Sequence, residues 1–176
     1  MIPALVDSGG IRKILPLGRY LATLDEIEVR FAPSTDQNRC EIFNEFKKAL
    51  ELAKVAFGSI CSIWIGGSFI TSEENPHDID VVFIIHENAF YTASRTTIGK
   101  FVLNRFMINH GFGEKVDAYL LGIHPTETLN DQSRYLNQRG YWDQFWSKSR
   151  FENSSDKRAM FPSAGYLEVI IDGFIR

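Results

Sequence analysis

Two aspartates separated by a single residue, Asp78 and Asp80, are the positions of this chain whose spacing most directly indicates chemistry. Ile79 lies between them and Val81 follows. On a strand, alternate side chains point to the same face, so both carboxylates would project together, about 6.6 Å apart along the chain. Like charges at 4 Å repel by about 4 kcal/mol at an effective dielectric of about 20. A divalent cation between them would remove that cost, and oxygen ligands favour Mg²⁺, Mn²⁺ or Ca²⁺ over zinc.

A glycine-serine turn precedes the two acids. Gly66, Gly67 and Ser68 follow the apolar segment 60–65, which predicts a strand that ends at the turn. Glycines let the backbone approach a phosphate closely, and the amide or hydroxyl of Ser68 can donate to it. We expect the turn to open a short helix, whose N-terminus would add a favourable field for an anion.

A third acid, Asp117, lies in the apolar segment 115–121, where an unpaired buried charge would be costly. By itself it could equally cap a loop or pair with Lys115. Together with Asp78 and Asp80 it gives three carboxylates on neighbouring predicted strands beside a glycine-serine turn. Two-metal phosphoryl transfer requires such a set, because one ion activates an acceptor hydroxyl and the other holds the donor's phosphates and stabilises the leaving pyrophosphate.

Composition places the chain among ordinary globular domains. Its 176 residues are 44% hydrophobic and 23% charged, which suffices for one domain with its own core. The net charge of −3 argues against broad binding to nucleic acid or acidic membranes, although a local basic patch is compatible with it. Cys40 and Cys61 lack zinc-finger spacing and are expected to be reduced. With no signal-peptide pattern and no apolar run near about 18 residues, we predict a soluble cytoplasmic protein without a membrane partner.

Hydrophobic periodicity predicts a single domain of the α/β (α+β) class, in which helices flank a small mixed sheet. A leader punctuated by proline and glycine, residues 1–33, is expected to pack on a domain formed by residues 34–176. The predicted helices are 24–31, 37–56 and 90–109, and the segment 126–150 is amphipathic and aromatic. The predicted strands are 60–65, 79–85, 116–121 and 166–175, the last of them at an edge of the sheet.

At its acids and its glycine-serine turn the chain resembles the nucleotidyltransferase superfamily typified by DNA polymerase β. The signature of that superfamily is an apolar strand, Gly-Ser, a spacer, Asp-x-Asp, and a later single Asp on a third strand. Gly67-Ser68, Asp78-Ile79-Asp80 and Asp117 occupy those places in order, within residues 60–121. The resemblance implies a nucleotidyltransferase-like fold in which Asp78 and Asp80 bind two metal ions. It also implies that Asp117 binds the ion that activates the acceptor and that Ser68 contacts the triphosphate.

The activity that this resemblance implies is transfer of a nucleoside monophosphate from a nucleoside triphosphate such as ATP to a hydroxyl, with two Mg²⁺ or Mn²⁺ ions. The acceptor stays open between a protein side chain, an RNA or tRNA end, and a small molecule. The compact size also resembles minimal members that act as antitoxins or toxin-modifying partners in bacterial two-gene defence modules. The alternative is therefore a catalytically inactive binding module, an antitoxin-like partner of a cognate toxin or a component of phage defence.

Two cations on the predicted helix 90–109, Arg95 and Lys100, are the candidates for binding the triphosphate. Related folds often place such a cation on the helix that follows the Asp-x-Asp strand. A solvated helix face explains both residues as well. Both interpretations therefore stay open at this stage.

Overall fold

The computed structural model of the chain describes residues 1–7, 12–86, 89, 93, 114–123, 129–149 and 161–174. Its helices are α1 (Leu24–Phe31), α2 (Gln37–Phe57) and α3 (Leu129–Trp146). Its strands are β1 (Gly18–Leu21), β2 (Ser62–Gly66), β3 (Ile79–His86), β4 (Val116–Ile123), β5 (Lys148–Ser149), β6 (Phe161–Pro162) and β7 (Gly165–Ile170). A short 3₁₀ turn, Ser68–Ile70, follows β2. The predicted helix 90–109 lies outside the described residues.

Five of these strands form one mixed sheet in the order β1-β7-β2-β3-β4. Strand β2 runs antiparallel to both of its neighbours, β7 and β3. The pairs β3–β4 and β1–β7 are parallel, and the short β5 and β6 pair separately. The predicted class, a single mixed α+β domain with a small mixed sheet flanked by helices, is therefore confirmed.

The position of the last strand differs from the prediction. β7 lies between β1 and β2, so its expected place at an edge is wrong, and it ends at Ile170 rather than at residue 175. The edge is formed instead by Gly18–Leu21, which belongs to the segment that the sequence presents only as a leader. A four-residue strand that begins with glycine carries too little alternation to be recognised from its sequence.

The first two helices begin and end where local signals predict. Thr23 caps α1 through a capping box with Glu26, and the Asp36 side chain caps α2 by accepting from the backbone N–H of Arg39 at 3.0 Å. Gly58 ends α2 with a φ of +77°, a conformation that glycine adopts at little cost. These boundaries confirm the predictions for 24–31 and, to within one residue, for 37–56.

The sheet carries two differently covered faces. α3 covers the face that bears Tyr119 and Tyr166. The ring centroids of Trp142 and Tyr119 lie 4.6 Å apart, and those of Trp146 and Tyr166 lie 6.0 Å apart. On the opposite face, the side chains of β3 are fully buried (Ile79, Val81, Phe83 and Ile85). α2 packs against β3 and β4. β3 is thus covered on both sides, as its nearly continuous apolar sequence predicts.

Among the helices of the described ranges, none combines the length and apolar character needed to cross a membrane.

Two leucines of α2 offer a matched test of this core. Leu50 is 3% exposed and Leu52 is 42% exposed. Because the same atoms are removed from the same helix, we expect Leu50→Ala to lower the free energy of unfolding by about 2–5 kcal/mol. Leu52→Ala should lower it by no more than about 0.5 kcal/mol. Urea denaturation followed by circular dichroism measures both, and equal losses would contradict the described packing of α2.

Candidate active site

The two acids Asp80 and Asp117 are register partners on the parallel strands β3 and β4. Their side chains therefore leave the same face of the sheet, from backbones about 4.8 Å apart. Asp78 lies two residues before Asp80, immediately ahead of the first residue of β3. Burial raises the pKa of Asp117 and the charge of Asp78 adds to that rise, so these two carboxylates act on each other electrostatically. The structure thus brings the three predicted acids to one end of the sheet.

The glycine turn lies directly against one of these acids. Gly66 is the register partner of Asp80 on β2, and Gly67 follows with a φ of +74°. A methyl group built on Gly67 would overlap the carboxylate of Asp80. Glycine is therefore required at position 67 for two reasons: the backbone has a positive φ, and the Asp80 carboxylate occupies the space that a side chain would fill.

Ser68 opens a single 3₁₀ turn rather than an α-helix. Its carbonyl accepts hydrogen bonds from the backbone N–H of Thr71 at 3.1 Å and from Thr71 Oγ1 at 2.7 Å. Its hydroxyl has no hydrogen-bond partner within the described residues and is partly exposed. The turn spans only Ser68–Ile70. It is too short to supply the favourable electrostatic field that we expected from a helix N-terminus at this point.

Tyr119 is a partner of the site that sequence reasoning missed. Its hydroxyl donates to Asp117 Oδ2 at 2.9 Å, and Asp117 Oδ1 is buried without a hydrogen bond in the described part of the chain. Burial raises the pKa of Asp117, and the bond from Tyr119 opposes that rise. Burial and the neighbouring acids raise the pKa of Tyr119, which keeps its hydroxyl protonated as a donor. The two-residue spacing on one strand could have indicated this pair.

Asp78 directly follows His77, a residue that lines a polar groove. Burial raises the pKa of Asp78, and the charge of His77 opposes that rise. The groove has a volume of about 990 Å³ and is lined by Asn38, Asn75, His77 and Lys115 among others. This volume is at the upper end of the range that small-molecule ligands occupy.

Aromatic side chains of α3 close the acid-bearing face beside the turn. A methyl group on Gly66 would come within 2.7 Å of the Trp146 ring, so this glycine is required by packing. The role of Gly66 in phosphate approach stays a prediction, and what the structure shows is its packing against Trp146. The Trp142 ring packs at 4.6 Å on Tyr119, the residue that holds Asp117. α3 therefore supports the site from above the sheet.

The three carboxylates fit a hard cation in type and in strand position. Oδ1 of Asp117 is buried without a hydrogen-bond partner in the described part of the chain, and a cation would satisfy it. As the side chains stand, however, no three His, Cys, Asp or Glu residues within the described ranges are grouped as a metal site. Asp117 is turned to Tyr119 and Asp80 is packed on Gly67. A shared ion would thus require that both side chains rotate about their χ1 and χ2 bonds.

The candidate cations Arg95 and Lys100 lie outside the described residues. Their predicted contact with a triphosphate therefore stays a prediction.

Comparison with known proteins gives one family. Residues 10–170 match the model of a family described as "Family of unknown function (DUF6932)". Neither the curated proteins nor the solved structures contain a match to the chain.

The contact between Gly67 and Asp80 can be tested by a pair of glycine substitutions. Gly67 and Gly58 both have positive φ, but a methyl group on Gly58 would meet nothing within 4 Å. Gly58→Ala should cost about 1–2 kcal/mol of backbone strain. Gly67→Ala should cost about 1–3 kcal/mol more, because its methyl group would also displace the Asp80 carboxylate. Equal costs in urea denaturation would contradict the contact.

The raised pKa of Asp117 predicts a pH-dependent effect of removing its charge. A carboxyl whose pKa is raised by folding destabilises the native state as pH rises above its ordinary value near 4. Asp117→Asn should therefore increase the free energy of unfolding of metal-free protein at pH 7. The gain should vanish near pH 3, where the carboxyl is protonated in both states. Denaturation in chelator-containing buffer at both pH values measures it, and a loss of stability at pH 7 would contradict the described environment.

Proposed function

Because the chain belongs to DUF6932, a family of unknown function, its activity has to be inferred from its own site, and we propose that it is a metal-dependent nucleotidyltransferase. It would transfer a nucleoside monophosphate from a nucleoside triphosphate to a hydroxyl acceptor. The nucleotidyltransferase-like character of the fold is part of this proposal.

One observation carries the proposal: Asp80 and Asp117 are in register on parallel strands beside a turn whose glycine touches Asp80. Acids placed side by side and half buried raise the free energy of the protein without a ligand. Such arrangements are found more often at functional sites than at positions that only support a fold. The order of turn, paired acids and third acid along the chain agrees with the resemblance to polymerase β-like enzymes.

Transfer joins the oxygen of the acceptor hydroxyl to the α-phosphorus of the triphosphate, and the hydroxyl proton is released to solvent. The bond from that phosphorus to the bridging oxygen breaks, and pyrophosphate leaves with the bonding electrons. Bound Mg²⁺ or Mn²⁺ would supply the positive charge that activates the acceptor and stabilises the leaving group. Asp78, Asp80 and Asp117 would hold the two ions.

The chain's own groups have defined tasks in this scheme. The Gly67–Ser68 turn would receive the triphosphate next to Asp80, with the Ser68 hydroxyl as a donor. Tyr119 fixes Oδ2 of Asp117 and leaves the buried Oδ1 without a hydrogen bond. α3 places Trp146 over Gly66, which excludes water from the sheet side of the turn.

A second candidate, an inactive binding module paired with a toxin, is favoured by one observation. The three carboxylates are not grouped as a metal site as they stand, and Tyr119 engages one oxygen of Asp117. A module that works by contact alone needs no cation. Metal uptake separates the two candidates, because only the enzyme should bind Mn²⁺ together with a nucleotide.

Label transfer provides the test of the enzyme. Purified protein is incubated with each α-labelled triphosphate, Mn²⁺ or Mg²⁺, and a lysate that supplies acceptors. We expect transfer to fall by at least about 100-fold, equivalent to about 2.7 kcal/mol of barrier, in Asp80→Asn and in Asp117→Asn. Chelation with EDTA should abolish it, because the acids act through the cation.

A matched control for these variants is Asp25→Asn. Asp25 lies in the first turn of α1, on an element remote from the acids, and its variant should transfer label like the wild type. Transfer that persists in both site variants would overturn the proposed mechanism. Wild-type protein that neither takes up Mn²⁺ with a nucleotide nor transfers label would support the binding module instead.

A further inference from the structure

We infer that Arg39 is a positioning residue that fixes the Gly67–Ser68 turn for the triphosphate. The inference rests on the proposed function, because it assigns a purpose to the placement of that turn. Arg39 lies in the first turn of α2, and only 7% of it is exposed. It does not touch the acids, so it would act through the segment that follows Ser68.

Every N–H group of the Arg39 guanidinium has an acceptor nearby. Its Nη1 donates to the backbone carbonyls of Phe31, at 3.2 Å, and of Phe69, at 2.6 Å. Its Nη2 donates to the backbone carbonyls of Thr71, at 3.2 Å, and of Glu73. Nε lies 3.5 Å from Asp36 Oδ2. Three of these carbonyls belong to the segment that immediately follows the Gly67–Ser68 turn.

Thr71 connects this guanidinium to Ser68. The Thr71 carbonyl accepts from Arg39, while its backbone N–H and its hydroxyl both donate to the Ser68 carbonyl. The Thr71 hydroxyl also accepts from the backbone N–H of Glu73 at 3.1 Å. A displacement of Arg39 would therefore reach Ser68 through one intervening residue.

The leader holds the same segment from another side. Lys13 and Ser72 exchange two hydrogen bonds, since the Ser72 N–H donates to the Lys13 carbonyl at 3.0 Å and the Lys13 N–H donates to Ser72 Oγ at 2.7 Å. Arg12 pairs with the Glu73 carboxylate at 2.9 Å. The segment is thus held by two parts of the chain that are remote in sequence.

The choice of arginine is specific to this task. A buried cation is costly unless each of its polar hydrogens is satisfied, and burial lowers the pKa of Arg39 against the opposing charges of Asp36 and Glu73. A guanidinium presents five donors in a rigid plane, whereas a lysine ammonium presents three on a flexible stem. A core position whose purpose was only apolar packing would not need this cation. A segment that has to be held at several carbonyls does need it.

The experiment compares Arg39→Lys with Arg30→Lys. Arg30 is also an arginine that donates to a backbone carbonyl, that of Ile2 at 2.7 Å, but it lies on α1 away from the turn. In label transfer we expect Arg39→Lys to raise the KM for the triphosphate about tenfold while kcat at saturation changes by less than about twofold. Arg30→Lys should leave both constants at the wild-type values. A merely structural role would reduce the folded fraction, which lowers kcat and leaves KM unchanged, and that result would overturn the inference.

Amide hydrogen exchange separates this inference from the proposed function. The backbone N–H groups of Thr71, Ser72 and Glu73 are all hydrogen-bonded, so their exchange reports whether the segment is held. We expect faster exchange at these positions in Arg39→Lys and not in Arg30→Lys. If the wild type neither binds nor transfers nucleotide, the proposed function fails. Faster exchange in Arg39→Lys would still show that Arg39 holds the segment after the turn. Unchanged exchange in Arg39→Lys would show that it does not, and would overturn the inference.

Thr71→Val is the second variant for this test if Arg39→Lys does not fold. The substitution keeps the shape of the side chain and removes only the two hydrogen bonds of the hydroxyl. It should raise the KM for the triphosphate in the same direction as Arg39→Lys. An unchanged KM in Thr71→Val would overturn the proposed path from Arg39 to Ser68.

Discussion

Repulsion between acids placed side by side at one end of the sheet is the constraint on which the site depends. The parallel register of β3 and β4 sets Asp80 beside Asp117, and burial makes both Asp78 and Asp117 reluctant to ionise. A fold that only had to be stable would place apolar residues at these positions. The surrounding structure instead restrains the acids, since Tyr119 holds one and the backbone of Gly67 confines another.

The neighbouring elements supply rigidity rather than further charge. Trp146 closes over Gly66, and Arg39 ties the segment after the turn to both α1 and α2. One contact lies at the glycine before the turn and the other at the segment after it, so together they constrain where a ligand would meet the turn. Local strain and buried charge at one place are balanced by packing elsewhere, as is common for functional sites.

Much of the fold follows from signals that are local in sequence. The capping box at Thr23, the cap at Asp36 and Gly58 mark helix ends because each acts within one turn of chain. The alternation around Asp80 and the apolar flanks of Asp117 likewise indicated strands and one common face. Arg39 and β1 could not be predicted, because the contacts of Arg39 and the pairing of β1 join distant segments. Tyr119 was within reach of the two-residue rule, but its bond to Asp117 depends on a rotamer that sequence does not specify.

The parallel pairing of β1 with β7 has a consequence for the synthesis of the protein on the ribosome. β1 is translated well before its partner Gly165–Ile170, because most of the described chain separates the two strands. Until then the inner edge of β2 that β7 will occupy also lacks its partner. Closure of the sheet therefore waits for β7 and is an event of high contact order, and such pairings form slowly. A chain truncated before residue 165 would expose the edge of β2 to pairing with other chains.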